Sequence, residues 1–119
     1  MRYTRVMKET LTALAEPNRL HIVELLREGP LTVGEIAGRL GLQQPQVSKH
    51  LRVLHDAGLV AMQPAANRRI YQLRPEPLQE LDEWLDTFRR IWDHRFDRLD
   101  RYLEDLQHRH ANEEENDDE

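Results

Sequence analysis

The sequence contains no cysteine, which removes disulfides, thiolate metal sites and cysteine nucleophiles at once and gives no support to secretion. It also lacks any apolar run near the length of a membrane span, and its opening MRYTRVMKETL has no apolar core of the kind a secretory signal needs. A cytoplasmic protein with no membrane partner is therefore expected. Glycine and proline are few, 5 and 6 in 119 residues, so each one can be read as punctuation between elements. There is no phosphate-cradling glycine loop, no H-E-x-x-H and no serine context of a nucleophile. Catalysis has nothing to stand on, and no cofactor is implied.

What is present is an uneven distribution of charge. The net charge is −5, which by itself argues against a nucleic-acid partner. Residues 1–74, however, carry 11 Lys and Arg against 6 Asp and Glu, a net of +5, whereas residues 75–112 carry −4 and residues 113–119 carry −6. The N-terminal two thirds is basic. The acidic excess sits in a later helix and in the tail EEENDDE, so residues 111–119 read as a disordered acidic tail behind a single domain of residues 1–110.

Helical spacing of Val6, Met7, Thr10, Leu11 and Leu14 predicts a first helix from Tyr3, ending near Glu16 because Pro17 disfavours helix in the residue before it. Asn18 can cap a second helix that Gly29 and Pro30 close. Thr32 followed by Glu35 is a capping-box pattern for a short third helix, with Ile36, Ala37 and Leu40 as its buried stripe and Gly41 as its end.

Gln43 or Gln44 can cap the fourth helix, Pro45 suits its first turn, and Val47, Leu51 and Leu54 repeat along one face. Two short helices joined by a tight glycine-containing turn, at about residues 32–57, match a helix-turn-helix. In that motif the second helix enters the major groove and its N-terminal residues meet base edges. The polar front end answers to that role: the Gln43, Gln44 and Gln46 amides suit adenine edges, the Ser48 hydroxyl suits phosphate or base, and the Lys49 and Arg52 cations suit phosphate or guanine.

After Gly58 the period changes. LVAMQ and RRIYQL read as two strands of a wing at about residues 59–73, with PAAN as the tip. Asn67, Arg68 and Arg69 at the tip suit a DNA backbone or a narrow minor groove. From Glu76 to about His108, apolar residues including Leu81, Leu85, Phe88, Trp92, Phe96 and Leu99 step by three or four along one helix of roughly 50 Å. That is longer than a core of this size covers. A second chain is expected to cover it. The fold class expected is mainly α with a small β-hairpin wing, a winged helix-turn-helix of about five helices and two strands.

The runs ALAEPNRLHIVELL and GPLTVGEIAGRLGLQQPQVSKHLRVLHDAGLV, followed by the NRRIYQL wing, resemble the ArsR/SmtB family of winged-helix repressors over about residues 7–75. The segment PEPLQELDEWLDTFRRIWDHRFDRLDRYLEDL further resembles a branch of that family without metal sites. The resemblance implies a homodimer, held by its first and last helices with Met7, Leu11 and Leu14 of the first sharing the contact, that binds double-stranded DNA at an inverted repeat and represses, often its own operon. Thiolate sensors of the family carry Cys-x-Cys at the start of the third helix; here Thr32 and Gly34 stand at those positions. The other familiar site, on the last helix, is not reproduced by Asp93, His94, Asp97, His108 or His110, although His94 and Asp97 share a helical face. No metal is expected, and no effector is identified. His50 has two readings: a donor to phosphate, or a partly buried structural histidine near the wing. The alternative for the whole chain is a winged-helix adaptor or anti-regulator that binds protein instead of specific DNA. Such interfaces favour aromatic anchors, and the front end of this recognition helix has none.

Overall fold

The computed structural model describes residues 4–117. The elements are α1 (Thr4–Leu14), α2 (Pro17–Leu26), β1 (Leu31–Thr32), α3 (Val33–Leu40), α4 (Gln44–Asp56), β2 (Val60–Ala65), β3 (Arg68–Leu73) and α5 (Glu76–Asp117). This is the winged helix-turn-helix expected, with one strand more. Two compact units divide it, residues 1–83 and 84–119, so that α5 contributes its first turns to one and the rest to the other. Among the described residues, no helix is long and apolar enough to cross a membrane.

The first unit is built round one core. Ile22, Ile36, Val47, Leu51, Leu54 and Leu59 are fully buried, and Ala13, Val23, Leu26, Ala37, Val60 and Tyr71 pack with them. The helical stripes read from the sequence for α3 and α4 are therefore the faces that build it. Gly41 takes φ 66°, a left-handed conformation that a side chain would resist, and Leu42 N–H returns to the Ala37 carbonyl at 3.1 Å. That closure ends α3 and turns the chain into α4 within a few residues.

Proline 17 opens α2 instead of merely closing α1. Glu16, in extended conformation at φ −89° and ψ 128°, is the N-cap, and its carboxylate accepts from Arg19 N–H at 3.0 Å. The expectation that Asn18 caps this helix is thus corrected by two residues: proline fits the first helical position, which needs no N–H donor and matches its fixed φ.

The sheet order is β1-β3-β2, all antiparallel. Pro64 lies on β2, an edge strand, where a missing N–H costs no ladder bond on the outer side. The hairpin tip is Ala66–Asn67, with Ala66 at φ 57°. The unexpected strand is β1, where Leu31 pairs with Tyr71 and Thr32 with Ile70. Two residues are too few to show a strand period.

Helix α5 runs on to Asp117 rather than stopping near His108. Most of residues 111–119, read as a disordered tail, are therefore helical, and Asp118 and Glu119 lie outside the described residues. No glycine or proline interrupts the stretch, and its Ala and Glu residues have high intrinsic helix propensity.

Candidate nucleic-acid interface

Three structural decisions place the polar face of α4 opposite the wing. The buried Val47, Leu51 and Leu54 hold one side of α4 on the core, so Gln44, Ser48, Arg52 and His55, three or four residues apart, share the exposed side. The Thr32–Ile70 pairing brings the start of α3 against β3. Register within the hairpin then sets Arg68 opposite Ala65 and Arg69 opposite Pro64.

The result is a cleft in two adjoining parts. The first, about 600 Å³, lies between Thr32, Val33, Gly34 and Glu35 of the α3 start, Gln44 and Ser48 of α4, and Asn67, Arg68 and Arg69 of the wing. The second, about 470 Å³, continues along α4 past Lys49, Arg52 and His55 to Met62 and Tyr71. Val33, Ser48 and Arg69 line both. Lys49, Arg52, Arg68 and Arg69 are exposed, and among the described residues none of them pairs with a carboxylate. Four cations against the single carboxylate of Glu35 raise the local positive potential, which favours an anionic ligand.

Glu35 is itself occupied. Its Oε1 accepts from Thr32 N–H at 3.3 Å and from Thr32 Oγ1 at 3.0 Å, while Thr32 Oγ1 accepts from Glu35 N–H at 3.2 Å. This reciprocal capping box fixes the α3 start and turns the carboxylate toward the helix end it stabilises. Gly34 sits beneath Gln44: a Cβ there would stand 3.5 Å from Gln44 Nε2. The amide thus lies directly over the α3 start.

Of the residues the sequence singled out, Gln44, Ser48, Lys49, Arg52, Asn67, Arg68 and Arg69 meet along this cleft. Three do not. Gln43 is the N-cap of α4 and Gln46 returns its side-chain oxygen to Gln43 N–H at 3.2 Å, so these two exposed residues stabilise the helix start. His50 turns to α2, with Nδ1 3.6 Å from Glu16 Oε2. Of its two readings the structural one describes this contact, but the partner is the α2 N-cap and not the wing. Glu16 is held below the usual carboxylate range, first by the hydrogen bond from Arg19 N–H, with smaller help from Asn18 N–H and from the His50 and Arg19 charges, against a burial cost.

Thr32, Val33, Gly34, Glu35, His55, Met62 and Tyr71 are cleft residues that the sequence reading did not assign to a DNA contact. The capping box announced where α3 begins, yet nothing local announced that this start faces the wing.

The residues expected at a dimer contact divide. Met7 is buried within the chain and Leu14 packs against the core, so both are largely accounted for without a partner, whereas Leu11 is exposed. Leu81 and Leu85 are half-buried. In the second unit, Phe88, Trp92, Phe96 and Leu99 are exposed, with Phe96 at 62%, and Ile91, Tyr102 and Leu103 join them. Trp84 and Phe88 stack edge to face with centroids 5.0 Å apart.

Comparison with known proteins supplies independent information. A family model described as bacterial regulatory protein, arsR family, matches residues 16–61, from the α2 cap to the first residues of the wing. The HTH-type transcriptional regulator Rv2034 of Mycobacterium tuberculosis is 51% identical over 76 residues, covering 64% of this chain and 71% of that protein. The transcriptional repressor SdpR of Bacillus subtilis is 29% identical over 82 residues, 69% of this chain and 91% of the repressor. Among solved structures, HlyU from Vibrio cholerae superposes with a TM-score of 0.60 at 32% identity, covering 70% of this chain and 90% of HlyU.

Proposed function

This chain belongs to the arsR family of bacterial regulatory proteins, and on that premise we propose how it works as a DNA-binding transcriptional regulator. Two copies pair, place their α4 helices roughly 34–36 Å apart in successive major grooves on one face of a duplex, and occlude an inverted-repeat promoter site. Repression of its own operon is the first case to examine. The observation that carries this reading is the cleft, where a polar helix face and four unpaired cations from two separate elements converge.

Within it, Gln44 and Ser48 are the base-reading groups, an amide suited to adenine and a hydroxyl suited to base or phosphate. Lys49 and Arg52 neutralise phosphates beside the groove. Asn67, Arg68 and Arg69 engage the backbone or the minor groove from the wing. Gln43 and Gln46 support the reading indirectly, through the helix start they cap.

Pairing is supported by the exposed apolar residues of the second unit, which recur every three or four positions from Phe88 to Leu103. A contiguous apolar face of that size on one chain marks an interaction surface. A second copy is the occupant that an inverted repeat requires. In the first unit, Leu11 of α1 is exposed as well.

We assign the chain to the branch without metal sites. Thr32 and Gly34 stand at the positions of the family's thiolate pair; neither carries a thiolate, and Thr32 caps α3. Among the described residues, His94 and Asp97 gather no third ligand. The named relatives are regulators, which fits a protein without catalytic activity, and a cytoplasmic location follows from a DNA partner.

The test is binding of the purified protein to DNA from upstream of its own gene and to a scrambled duplex of equal length, at two salt concentrations, with the assembly state read by light scattering. Selective, salt-sensitive binding by a dimer is the expected result. Equal binding to both duplexes would instead favour a protein-binding adaptor.

A further inference from the structure

Three polar side chains link the last turn of α1 to the middle of α4, and none of them lines the cleft. Arg19 donates from Nε to the Ala13 carbonyl at 2.7 Å and from Nη2 to the Thr12 carbonyl at 3.2 Å. These are carbonyls of the last turn of α1, where helical partners run out, and the Thr12 carbonyl also accepts from Ala15 N–H at 3.3 Å. Arg19 N–H donates to Glu16 Oε2, and the same oxygen lies 3.6 Å from His50 Nδ1. The Glu16 and His50 side chains are only 33% and 21% exposed, so this contact is better shielded than a surface ion pair.

The recognition helix needs such a contact. Its buried Val47, Leu51 and Leu54 hold it on the core by apolar packing, which is non-directional. A rotation of roughly 20° about the helix axis would keep most of that burial, yet it would swing a side-chain tip roughly 5 Å from the axis through roughly 2 Å. Hydrogen bonds to base edges tolerate only a few tenths of an ångström. A polar pair anchored on another element selects one rotation.

We propose that His50 is a positioning residue for DNA recognition: through Glu16 and Arg19 it ties α4 to the end of α1 and so sets the rotation at which Ser48 and Lys49 are presented. This rests on the DNA-binding reading above, and it removes His50 from the phosphate contacts. An imidazole turned inward to a carboxylate is not turned outward to a duplex.

The test uses four variants of the full chain. Glu16→Gln keeps an oxygen for Arg19 N–H but removes the charge facing His50; His50→Leu removes the imidazole and keeps apolar volume; the double variant completes a cycle; His50→Gln offers an amide donor in its place. Affinities are measured for a duplex selected from a random pool and for an unrelated duplex across a salt series, and amide hydrogen exchange in α4 is followed without DNA. Each of the first two variants is expected to lose roughly 3- to 10-fold in affinity for the selected duplex, with binding to the unrelated duplex and the salt slope unchanged. The double variant should lose no more than the weaker-binding single one, His50→Gln should recover most of the loss, and exchange across α4 should quicken in both single variants. Three results overturn the proposal: a salt slope lower by about one in His50→Leu, which marks a phosphate contact; losses that multiply in the double variant; or unchanged exchange. If the wild type does not discriminate between duplexes, the DNA-binding reading fails, while the exchange data still decide whether Glu16 and His50 hold α4.

Discussion

Thr32 and Ile70 face each other across the β1–β3 ladder, and this one pairing sets the start of α3 beside the strand that carries Arg68 and Arg69. Thr32 is at once the last residue of a strand and the N-cap of a helix. One threonine therefore fixes both the wall of the cleft and its distance from the wing.

Thr32→Ala should lower stability by about 1 kcal/mol, the usual cost of losing a threonine N-cap. Thermal unfolding should show a fall of a few degrees. Thr32→Ser keeps the acceptor for Glu35 N–H and should recover most of it. Equal melting of the alanine and serine variants would show that the capping box contributes nothing.

Base reading and backbone contact separate in two substitutions on opposite walls of the cleft. Gln44→Ala should cost about 1–3 kcal/mol in affinity for a specific site and little on unrelated DNA. Arg69→Ala should weaken binding to every sequence and lower the salt slope by roughly one unit per lost phosphate contact. Titrations of both variants against both duplexes over a salt series decide this. An unchanged slope in Arg69→Ala would remove the wing from the interface.

Acid should release what Glu16 contributes. Its folded carboxyl lies below the usual value of 4.5, chiefly because it accepts from Arg19 N–H. A depressed carboxyl gives stability that is present above its unfolded value and is lost as pH falls through the folded one. Wild type and Glu16→Gln should therefore melt apart near neutral pH, with the gap starting to close below about pH 4.5 and vanishing only once the pH has fallen through the lower, folded value. A gap that persists at low pH would assign the stabilisation to something other than the charge.

Trp92→Asp places a charge within the exposed apolar face of α5. If the proposed dimer forms through this face, the variant should sediment as a monomer and, by removing the linkage of two half-sites, lower operator affinity on the order of 10²-fold. The fold of residues 1–83 should persist, since their core is closed by their own side chains. A variant that stays dimeric would place the contact elsewhere.

Much of the cleft was legible in the sequence. Gln44, Ser48, Lys49 and Arg52 belong to the polar side of a helix whose other side repeats Val47, Leu51 and Leu54, and that repeat alone sorts them. Gln46 and His50 are equally polar and equally close in sequence, yet their side chains go to the Gln43 N–H and to Glu16. Residue type announces hydrogen-bonding capacity; it does not choose the partner.

The sequence by itself determined the helices, the wing, the capping box at Thr32 and the split of charge between the basic head and the acidic remainder, because each follows from local spacing or from backbone chemistry within a few residues. Tertiary structure decided the rest: that Met7 turns inward and Leu11 outward on the same helix, that Glu16 and not Asn18 caps α2, that two residues before α3 form a strand, and that His50 reaches α2. Each of these depends on what lies opposite a side chain across the core or the sheet, 34 residues away in the case of Glu16 and His50, and no period along the chain carries that information.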